Sequence, residues 1–575
     1  MIHYRIELHD LHAHQYRVTL TLPQPAAEQR LSLPVWIPGS YMVREFGRHL
    51  SRLEARQGRT AVALAQIDKT TWLAACTGRG ALTLSYLVYA FDTSVRAAFL
   101  DPARGFFNGT SLCLRVEGRE SEAHAVTLAS LPRGWAVATA MPSDGAQGYL
   151  AADYDELVDH PFELGRFWRG GFETAGVAHE FVVAGAWPGF DGERLVADTR
   201  RICETQIAFW HGKRKATPPF SRYVFMLNAV EDGYGGLEHR ASTALIAARR
   251  ELPRKGQAAA GEGYQTLLGL ISHEYFHTWN VKRLKPREFA RIDYTRENYT
   301  PLLWFFEGFT SYYDDLLLLR SGLIDAARYL SLIAKTVNGV AATPGRRVQS
   351  VAQASFDAWV KYYRSDENTA NATVSYYTKG SLVALALDLT LRSERRGTLD
   401  GVMQQLWRSS RGGAIDERDI AAALRDVGGR SYAKELAAWV HGTAELPLPA
   451  LFEAAGLAQR HSPAPLAAAL GLRLAEGALS GVQVKAVLSG GAAAAAGVAA
   501  GDELLAADGW RIRRLDDAQQ WLAPGRGFEL LLVRDQQVLR LAVLRDTTAS
   551  TTLSLALADK PAAPAASLRR GWLGA

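Results

Sequence analysis

The chain has 575 residues, of which 48% are hydrophobic and 22% charged, a composition typical of a globular protein with several domains. Its net charge is +6, but the Lys and Arg residues are spread along the chain, which argues against a nucleic-acid-binding protein. Its three cysteines are far apart in sequence, which argues against a disulfide framework or a cysteine metal site.

The N-terminal segment, residues 1–10, alternates polar and apolar residues and lacks the apolar core of a secretory signal. No stretch approaches the roughly 18 consecutive apolar residues that a membrane-spanning helix needs. We therefore expect no membrane span and a cytoplasmic location.

Residues 1–170 are dominated by a period of two, as in 16–22, where Tyr, Val and Leu alternate with Arg and Thr. This pattern predicts an antiparallel β domain. The turn-rich stretch 36–46, which reads WIPGSYMVREF, is predicted to be a structural turn packed by aromatic side chains.

Strands are predicted to continue over 171–250, at 179–184 and 223–228, interrupted by a helix near 199–211. The sequence Gly235-Gly236-Leu237-Glu238-His239 follows, and we expect Glu238 near the edge of this sheet. The backbone of an edge strand can pair with an added extended peptide.

The helix that follows carries His273, Glu274 and His277 in the pattern H-E-x-x-H. A spacing of four residues places the two imidazoles on one helix face, as two ligands of one zinc ion require, with Glu274 directed toward a bound water. The alternative is a buried helix with two hydrogen-bonded histidines.

A catalytic zinc takes three protein ligands, and Glu307 is the candidate for the third. It lies between two Phe residues and a Gly-Phe pair, where an unpaired charge would be costly and coordination of a cation would offset that cost. The alternative is a partly exposed Glu at the start of a helix.

The chain from 264 to about 455 is predicted to be mainly helical, and one of these helices starts close to Tyr377 after the polar, irregular stretch 364–373. The Pro-containing segment near His461 marks a change of composition and is predicted to be a linker. After about residue 548 the chain is rich in Ala and Pro, and we expect it to be loosely ordered.

The sequences H-E-Y-F-H-T-W-N and W-F-F-E-G-F-T resemble those of the gluzincin metallopeptidases, and specifically of the glycyl aminopeptidase family whose members carry a C-terminal PDZ domain. The Glu-Gly-Phe context also resembles the aminopeptidase N family. The interval between His277 and Glu307 is longer here than in that second family, which favours the glycyl aminopeptidases.

The resemblance implies roles for further residues. Glu238, with Gly235 and Gly236, stands where these enzymes bind the free α-amino group of the substrate. Tyr377 stands where they have a tyrosine that donates a hydrogen bond to the oxyanion. Glu238 could instead be a solvated loop residue, and Tyr377 could serve only packing.

The segment after the linker resembles a PDZ domain, in which Leu470, Gly471 and Leu472 would form a shortened carboxylate-binding loop for a peptide ligand. The alternative is a docking lid without a ligand.

The expected fold is therefore α+β and multidomain, in the following order: an N-terminal antiparallel β domain (1–170), a thermolysin-like catalytic domain with a β lobe and a helical lobe (171–458), a linker (459–465), a PDZ domain (466–548) and a tail (549–575).

The function that these features favour is a zinc-dependent aminopeptidase with one zinc ion, acting on peptides that have a free N-terminus, and the resemblance implies a preference for Gly or Ala. Two alternatives stay open. One is a gluzincin endopeptidase whose PDZ domain selects substrates, and the other is a catalytically inert PDZ scaffold.

Overall fold

The computed structural model describes residues 1–575 except 146–147, 213–216, 258, 478, 523–524, 545–550 and 575. The chain forms two compact units, residues 1–298 with 407–415 and residues 299–406 with 416–575. Among the described residues, no helix combines the length and the apolar character needed to cross a membrane.

The N-terminal region is the predicted β domain, and its alternating sequence buries one face of each strand. It contains sheets of seven strands (β14-β12-β1-β2-β8-β4-β5), four strands (β13-β15-β10-β9) and four strands (β11-β3-β7-β6) around a common core. Most pairs are antiparallel, but β1 and β12 are parallel. The elements are β1 (Ile2–Asp10), β2 (Gln15–Leu22), β3 (Glu28–Ser32), β4 (Leu50–Gln57), β5 (Thr60–Ala61), β6 (Leu64–Gln66), β7 (Thr71–Ala75), β8 (Leu82–Tyr89), β9 (Ala98–Leu100), β10 (Arg104–Phe107), α1 (Gly109–Leu112), β11 (Arg115–Val116), β12 (His124–Ala129), β13 (Ala136–Ala138), β14 (Gly148–Ala151), α2 (Tyr154–Val158) and β15 (Phe162–Gly165).

The turn at 36–40 is buried inside the first unit. Trp36 is fully buried and donates from Nε1 to the carbonyl of Asp293 at 2.8 Å. The N–H of Ser40 donates to the carbonyl of Ile37, which closes the turn, and Gly39 has a φ of 93° that favours glycine. The aromatic packing expected from the sequence is therefore present.

The next sheet has five strands in the order β16-β17-β18-β20-β19, and its centre is parallel. The buried runs of β18 and β20 read as continuous apolar sequence because both faces are covered. Strand β19 stands at the end of this order, next to β20, and so forms an edge among the described strands, as expected; α4 packs against both. The elements are β16 (Trp168–Thr174), β17 (Val177–Ala184), α3 (Gly192–His211), β18 (Arg222–Val230), β19 (Tyr234–Glu238), β20 (Ser242–Ala248) and α4 (Glu262–Phe276).

The region that follows is helical, as predicted. A two-stranded parallel pair, β21 with β22, joins residues 285–286 to 414–415. Within this region, the segment 431–442 contains a short α-helix followed by a π-helical turn at Ala437–His441. The elements are β21 (Lys285–Pro286), α5 (Leu303–Phe306), α6 (Gly308–Arg320), α7 (Ala326–Ala341), α8 (Val351–Phe356), α9 (Thr369–Ala372), α10 (Thr378–Ser393), α11 (Leu399–Ser410), β22 (Ala414–Ile415), α12 (Glu417–Gly428), α13 (Ala433–Leu436) and α14 (Leu448–Ala454).

Residues 459–465 are not a free linker, because they lie in or directly after a strand whose partner comes from the predicted tail. Strand β23 (Leu457–Pro463) pairs antiparallel with β30 (Thr551–Leu557) over its whole length. Helix α17 (Ala563–Leu573) follows and buries Trp572, whose Nε1 donates to the hydroxyl of Tyr312 at 3.1 Å. The described part of 549–575 is therefore ordered, contrary to the expectation. A strand pairing and the buried indole of Trp572 hold it, and the Ala- and Pro-rich composition indicates neither.

The predicted PDZ region forms a sheet in the order β24-β25-β26-β28-β29, with β27 paired to β26, around its own core. The side-chain amide of Asn371 docks this region by two bonds: Nδ2 donates to the carbonyl of Val487 at 2.9 Å, and Oδ1 accepts from the N–H of Ser489 at 2.8 Å. The elements are α15 (Leu466–Leu470), β24 (Leu472–Gly477), β25 (Gly481–Val487), α16 (Ala492–Ala496), β26 (Glu503–Ala507), β27 (Trp510–Arg511), β28 (Phe528–Arg534) and β29 (Gln537–Val543).

Candidate active site

Helix α4 carries His273 and Glu274 in its last turn, and His277 directly follows the helix in helical conformation. The N–H of His277 donates to the carbonyl of His273, so the helical path continues through both histidines. Their Nε2 atoms are 3.0 Å apart. This separation is close to the roughly 3.3 Å expected between two nitrogens on a tetrahedral zinc ion.

The ring of His277 is oriented by the loop after the helix. Its Nδ1 lies 2.8 Å from the carbonyl oxygen of Asn280, so Nδ1 carries the proton and donates. The lone pair of Nε2 is then left for a metal, which is the usual arrangement of a zinc-bound histidine.

Buried side chains fix helix α4 against its neighbours. Gln206 on α3 donates from Nε2 to the carbonyl of Ser272 at 2.8 Å and contacts its hydroxyl at 3.0 Å. The hydroxyl of Tyr275 lies 2.8 Å from Nε2 of His179 on β17. These bonds hold the two histidines in place through the backbone of their helix.

Glu307 is 2% exposed and stands between α5 and α6. The glycine after it permits a close helix crossing, because a Cβ on Gly308 would lie 2.6 Å from the Cα of Gly380 on α10. Glu307 immediately precedes α6, and Tyr377 immediately precedes α10. The close crossing of these two helices therefore fixes the positions of both residues.

The ligand atoms of His273, His277 and Glu307 all lie within 4.8 Å of one another. Two imidazole nitrogens and one carboxylate oxygen form the donor set of many catalytic zinc sites and leave a coordination position for water. The three residues that we predicted as ligands therefore fit a zinc ion.

Tyr377 is partly buried, whereas the adjacent Tyr376 is fully buried. Its ring stacks on Tyr362, and its hydroxyl lies 3.4 Å from that of Tyr363. Burial first, and then the charge of Glu307, hold the pKa of the Tyr377 hydroxyl well above its ordinary value. The hydroxyl is therefore a protonated donor throughout the neutral and moderately alkaline range.

Two carboxylates lie along strand β19: Glu238 belongs to the strand, and Glu274 reaches it from helix α4. A Cβ on Gly236 would lie 2.1 Å from Oε1 of Glu274, so the glycine leaves room for that carboxylate. Glu238, 4% exposed, lies two residues further along the same strand. A Cβ on Gly39, in the buried turn 36–40, would lie 2.6 Å from both carboxylate oxygens of Glu238, so this glycine leaves room for the Glu238 carboxylate.

A buried ionic cluster lies beside Glu238 and was not predicted from the sequence. Asp159 pairs with Lys282 at 2.7 Å and contacts His239 at 3.4 Å. Burial alone would raise the pKa of Asp159, but Lys282 and His239 hold it well below its usual range. Asp159 follows α2, more than a hundred residues before Lys282, and no local pattern indicates that they meet.

The predicted carboxylate-binding loop lies between α15 and the edge strand β24. Leu470 and Leu472 are buried, and Gly471 adopts a left-handed conformation with φ 76°. The N–H of Gly471 donates to the carbonyl of Ala468, so this amide is engaged within the chain. A ligand carboxylate could use it only after that bond opens.

Family models match three segments of the chain: the peptidase M61 N-terminal domain at residues 3–166, the M61 glycyl aminopeptidase at 266–383, and a PDZ domain at 483–534. The crystal structure of an aminopeptidase N family protein from Idiomarina loihiensis is similar over 100% of both chains, with 36% sequence identity and a TM-score of 0.94.

Two more distant structures are an M1 zinc metallopeptidase from Deinococcus radiodurans and aminopeptidase A from Legionella pneumophila. The first is 14% identical over 78% of this chain and 95% of its own, with a TM-score of 0.47. The second is 12% identical over 96% of this chain and 57% of its own, with a TM-score of 0.49. The search of curated proteins found no match to this chain.

The family matches, together with a histidine pair and a carboxylate within ligand distance, define a zinc metallopeptidase with an appended PDZ domain. The chain belongs to the M61 glycyl aminopeptidase family, and its activity is that of a zinc aminopeptidase.

Proposed function

We propose that the enzyme removes Gly or Ala from the N-terminus of peptides, using one zinc ion held by His273, His277 and Glu307. Zinc in such a site supplies a Lewis acid that activates water and polarises a carbonyl. The preference for Gly and Ala rests on the family to which the chain belongs.

Glu274 is the general base in this proposal. Its carboxylate accepts a proton from the attacking water and later donates it to the amine that leaves. Tyr377 donates a hydrogen bond to the oxygen of the scissile carbonyl as negative charge develops there. One such donor is commonly worth about 3 kcal/mol of transition-state stabilisation.

Glu238 receives the α-ammonium group of the substrate. The observation that carries this proposal is the position of both carboxylates along β19, where Glu274 abuts Gly236 and Glu238 lies two residues away. Two steps along a strand span about 7 Å, so only one substrate residue fits between the amine and the scissile carbonyl. Cleavage after the first residue follows from that spacing.

The test compares a short peptide that begins with Gly and the same peptide with an acetylated N-terminus, each with and without a zinc chelator. We expect hydrolysis of the free peptide only, and its loss with chelator. A Glu238→Gln variant should lose about tenfold or more in kcat/KM on the free peptide, because a charge-assisted bond is removed.

Each other outcome opposes the proposal. Equal cleavage of both peptides would indicate the endopeptidase, with Glu238 in a structural role. No cleavage of either peptide by zinc-loaded protein would favour the binding scaffold.

A further inference from the structure

A guanidinium group from the N-terminal β domain lies over the two glycines of β19. Nη2 of Arg96 donates to the carbonyl of Gly236 at 3.0 Å. The atoms nearest to a Cβ built on Gly235 are Nη1 and Nη2 of Arg96, both at 3.6 Å. Arg96 therefore faces the same edge strand that carries Glu238 and abuts Glu274.

Arg96 has no counterion in the part of the chain that the structure describes. Among the residues that the structure describes, no carboxylate forms an ion pair with it, and its Nε is buried without a hydrogen-bond partner. Arg104, in the same domain, is different, because it forms a bidentate pair with Glu163. A partly buried cation without a counterion is costly, and an anion bound there would offset the cost.

The strand indicates where along a substrate this cation lies. Glu238 receives the amine, and the carboxylate of Glu274 lies at Gly236, one substrate residue away. Arg96 donates to Gly236 and lies 3.6 Å from the position that a Cβ of Gly235 would take, at and just beyond the scissile bond in the direction away from Glu238. A group at this position belongs to the residue after the cleaved bond.

We propose that Arg96 binds the C-terminal carboxylate of a dipeptide, which makes dipeptides that begin with a small residue the preferred substrates. In a dipeptide the residue after the scissile bond carries that carboxylate. The planar guanidinium can hold it with two parallel hydrogen bonds, whereas the main-chain carbonyl of a longer peptide brings no charge. This inference deepens the proposed aminopeptidase function and rests on it.

The experiment measures kcat/KM of the zinc-loaded enzyme on glycyl-leucine and on its C-terminal amide, glycyl-leucinamide. Both have a free amine, and they differ only in the terminal charge. We expect the acid to be favoured about tenfold to a hundredfold, the range for a hydrogen bond to a charged group. In Arg96→Gln, which keeps an N–H donor for Gly236 but loses the charge, the ratio should fall close to one.

Arg96→Lys retains the charge and should keep an intermediate ratio. Arg250→Ala is the matched control, because Arg250 also donates to a main-chain carbonyl near β19, that of Glu231 at 2.9 Å, but lies on the exposed surface. Its loss changes the net charge equally, and we expect an unchanged ratio.

Equal kcat/KM for acid and amide in the wild-type enzyme would overturn the assignment while leaving the aminopeptidase intact. An Arg96→Gln variant that loses activity equally on both substrates would overturn it as well, since that pattern indicates a structural role. Failure to cleave either substrate, with zinc bound, would refute the proposed function itself and is therefore distinguishable.

Discussion

At the scale of single residues, the proposed proton transfer depends on Glu274. It is 5% exposed and lies against Gly236, and the proposed zinc ligands His273 and His277 are its neighbours in sequence. Glu274→Gln preserves the shape of the side chain and removes the base. We expect kcat to fall about a thousandfold or more, with one zinc ion still bound per chain as measured by metal analysis.

A Glu274→Gln variant that retained full activity would contradict the role of this residue. A variant that lost both zinc and activity would indicate that Glu274 supports the metal site and would leave the base unidentified. Zinc content and kcat are therefore measured on the same preparation.

Tyr377 and Tyr376 form a matched pair at the start of α10. Tyr377→Phe removes the proposed oxyanion donor and should lower kcat about a hundredfold to a thousandfold with little change in KM. Tyr376→Phe removes a hydroxyl from a fully buried side chain and should leave kcat nearly unchanged. If the two variants exchanged these effects, the assignment of the donor to Tyr377 would be wrong.

Several residues of the candidate site could be proposed from the sequence because their chemistry is compact and local. His273, Glu274 and His277 lie within five positions, and Glu307 lies in an aromatic context where a bare charge is costly. Arg96 could not be predicted, because it stands between Val95 and Ala97 without any motif. Its position depends on how the N-terminal domain packs against β19, which no local pattern encodes.

At the scale of elements, we expect the docking of α4 on the five-stranded sheet to depend on pH. His179 on β17 contacts Tyr275 of α4, and burial lowers the pKa of His179 from 6.5 to about 4. Because the folded-state pKa lies below the unfolded one, the stabilisation is complete above pH 6.5 and is lost as pH falls toward 4. The full loss amounts to about 3 kcal/mol.

The measurement is urea denaturation at about pH 7 and about pH 4.5 for the wild type and for His179→Gln. Gln does not titrate, so the variant should lose less free energy of unfolding on acidification than the wild type does. Identical losses in the two proteins would show that His179 does not govern the acid sensitivity.

The strands and helices of the sheet and the helical region were predicted well because hydrophobic periodicity is a local signal. The pairing of β23 with β30 was not, because the partners are separated by the whole PDZ region and Pro463 resembles a breaker. The parallel pairing of β1 with β12 was not predicted either, because the alternation of residues shows which face of a strand is buried but does not identify the neighbouring strand.

At the scale of the whole molecule, Asn371 joins the PDZ region to the segment that leads to Tyr377. Asn371→Ala removes its two hydrogen bonds to Val487 and Ser489 and should weaken the docking by about 1–2 kcal/mol. We expect faster hydrogen exchange in β25 with zinc content unchanged. Glu367→Ala, an exposed change in the same segment, is the control.

Exchange rates that were equal in Asn371→Ala and the control would show that the amide does not hold the domain. A change in kcat that accompanied faster exchange would indicate that docking also affects Tyr377. The segment 364–373 was predicted as irregular, but its contact with the PDZ region joins residues more than a hundred positions apart and could not be inferred from the sequence.

The pairing of β23 with β30 places Pro463 opposite Thr551, so the chain enters and leaves the PDZ region at one point. A protease that cut either connection would leave the domain attached through the other strand, and the nicked enzyme would keep both pieces. The same arrangement allows the inserted segment to be replaced by another domain with adjacent termini, or by a tight turn, while the paired strands beneath it stay intact.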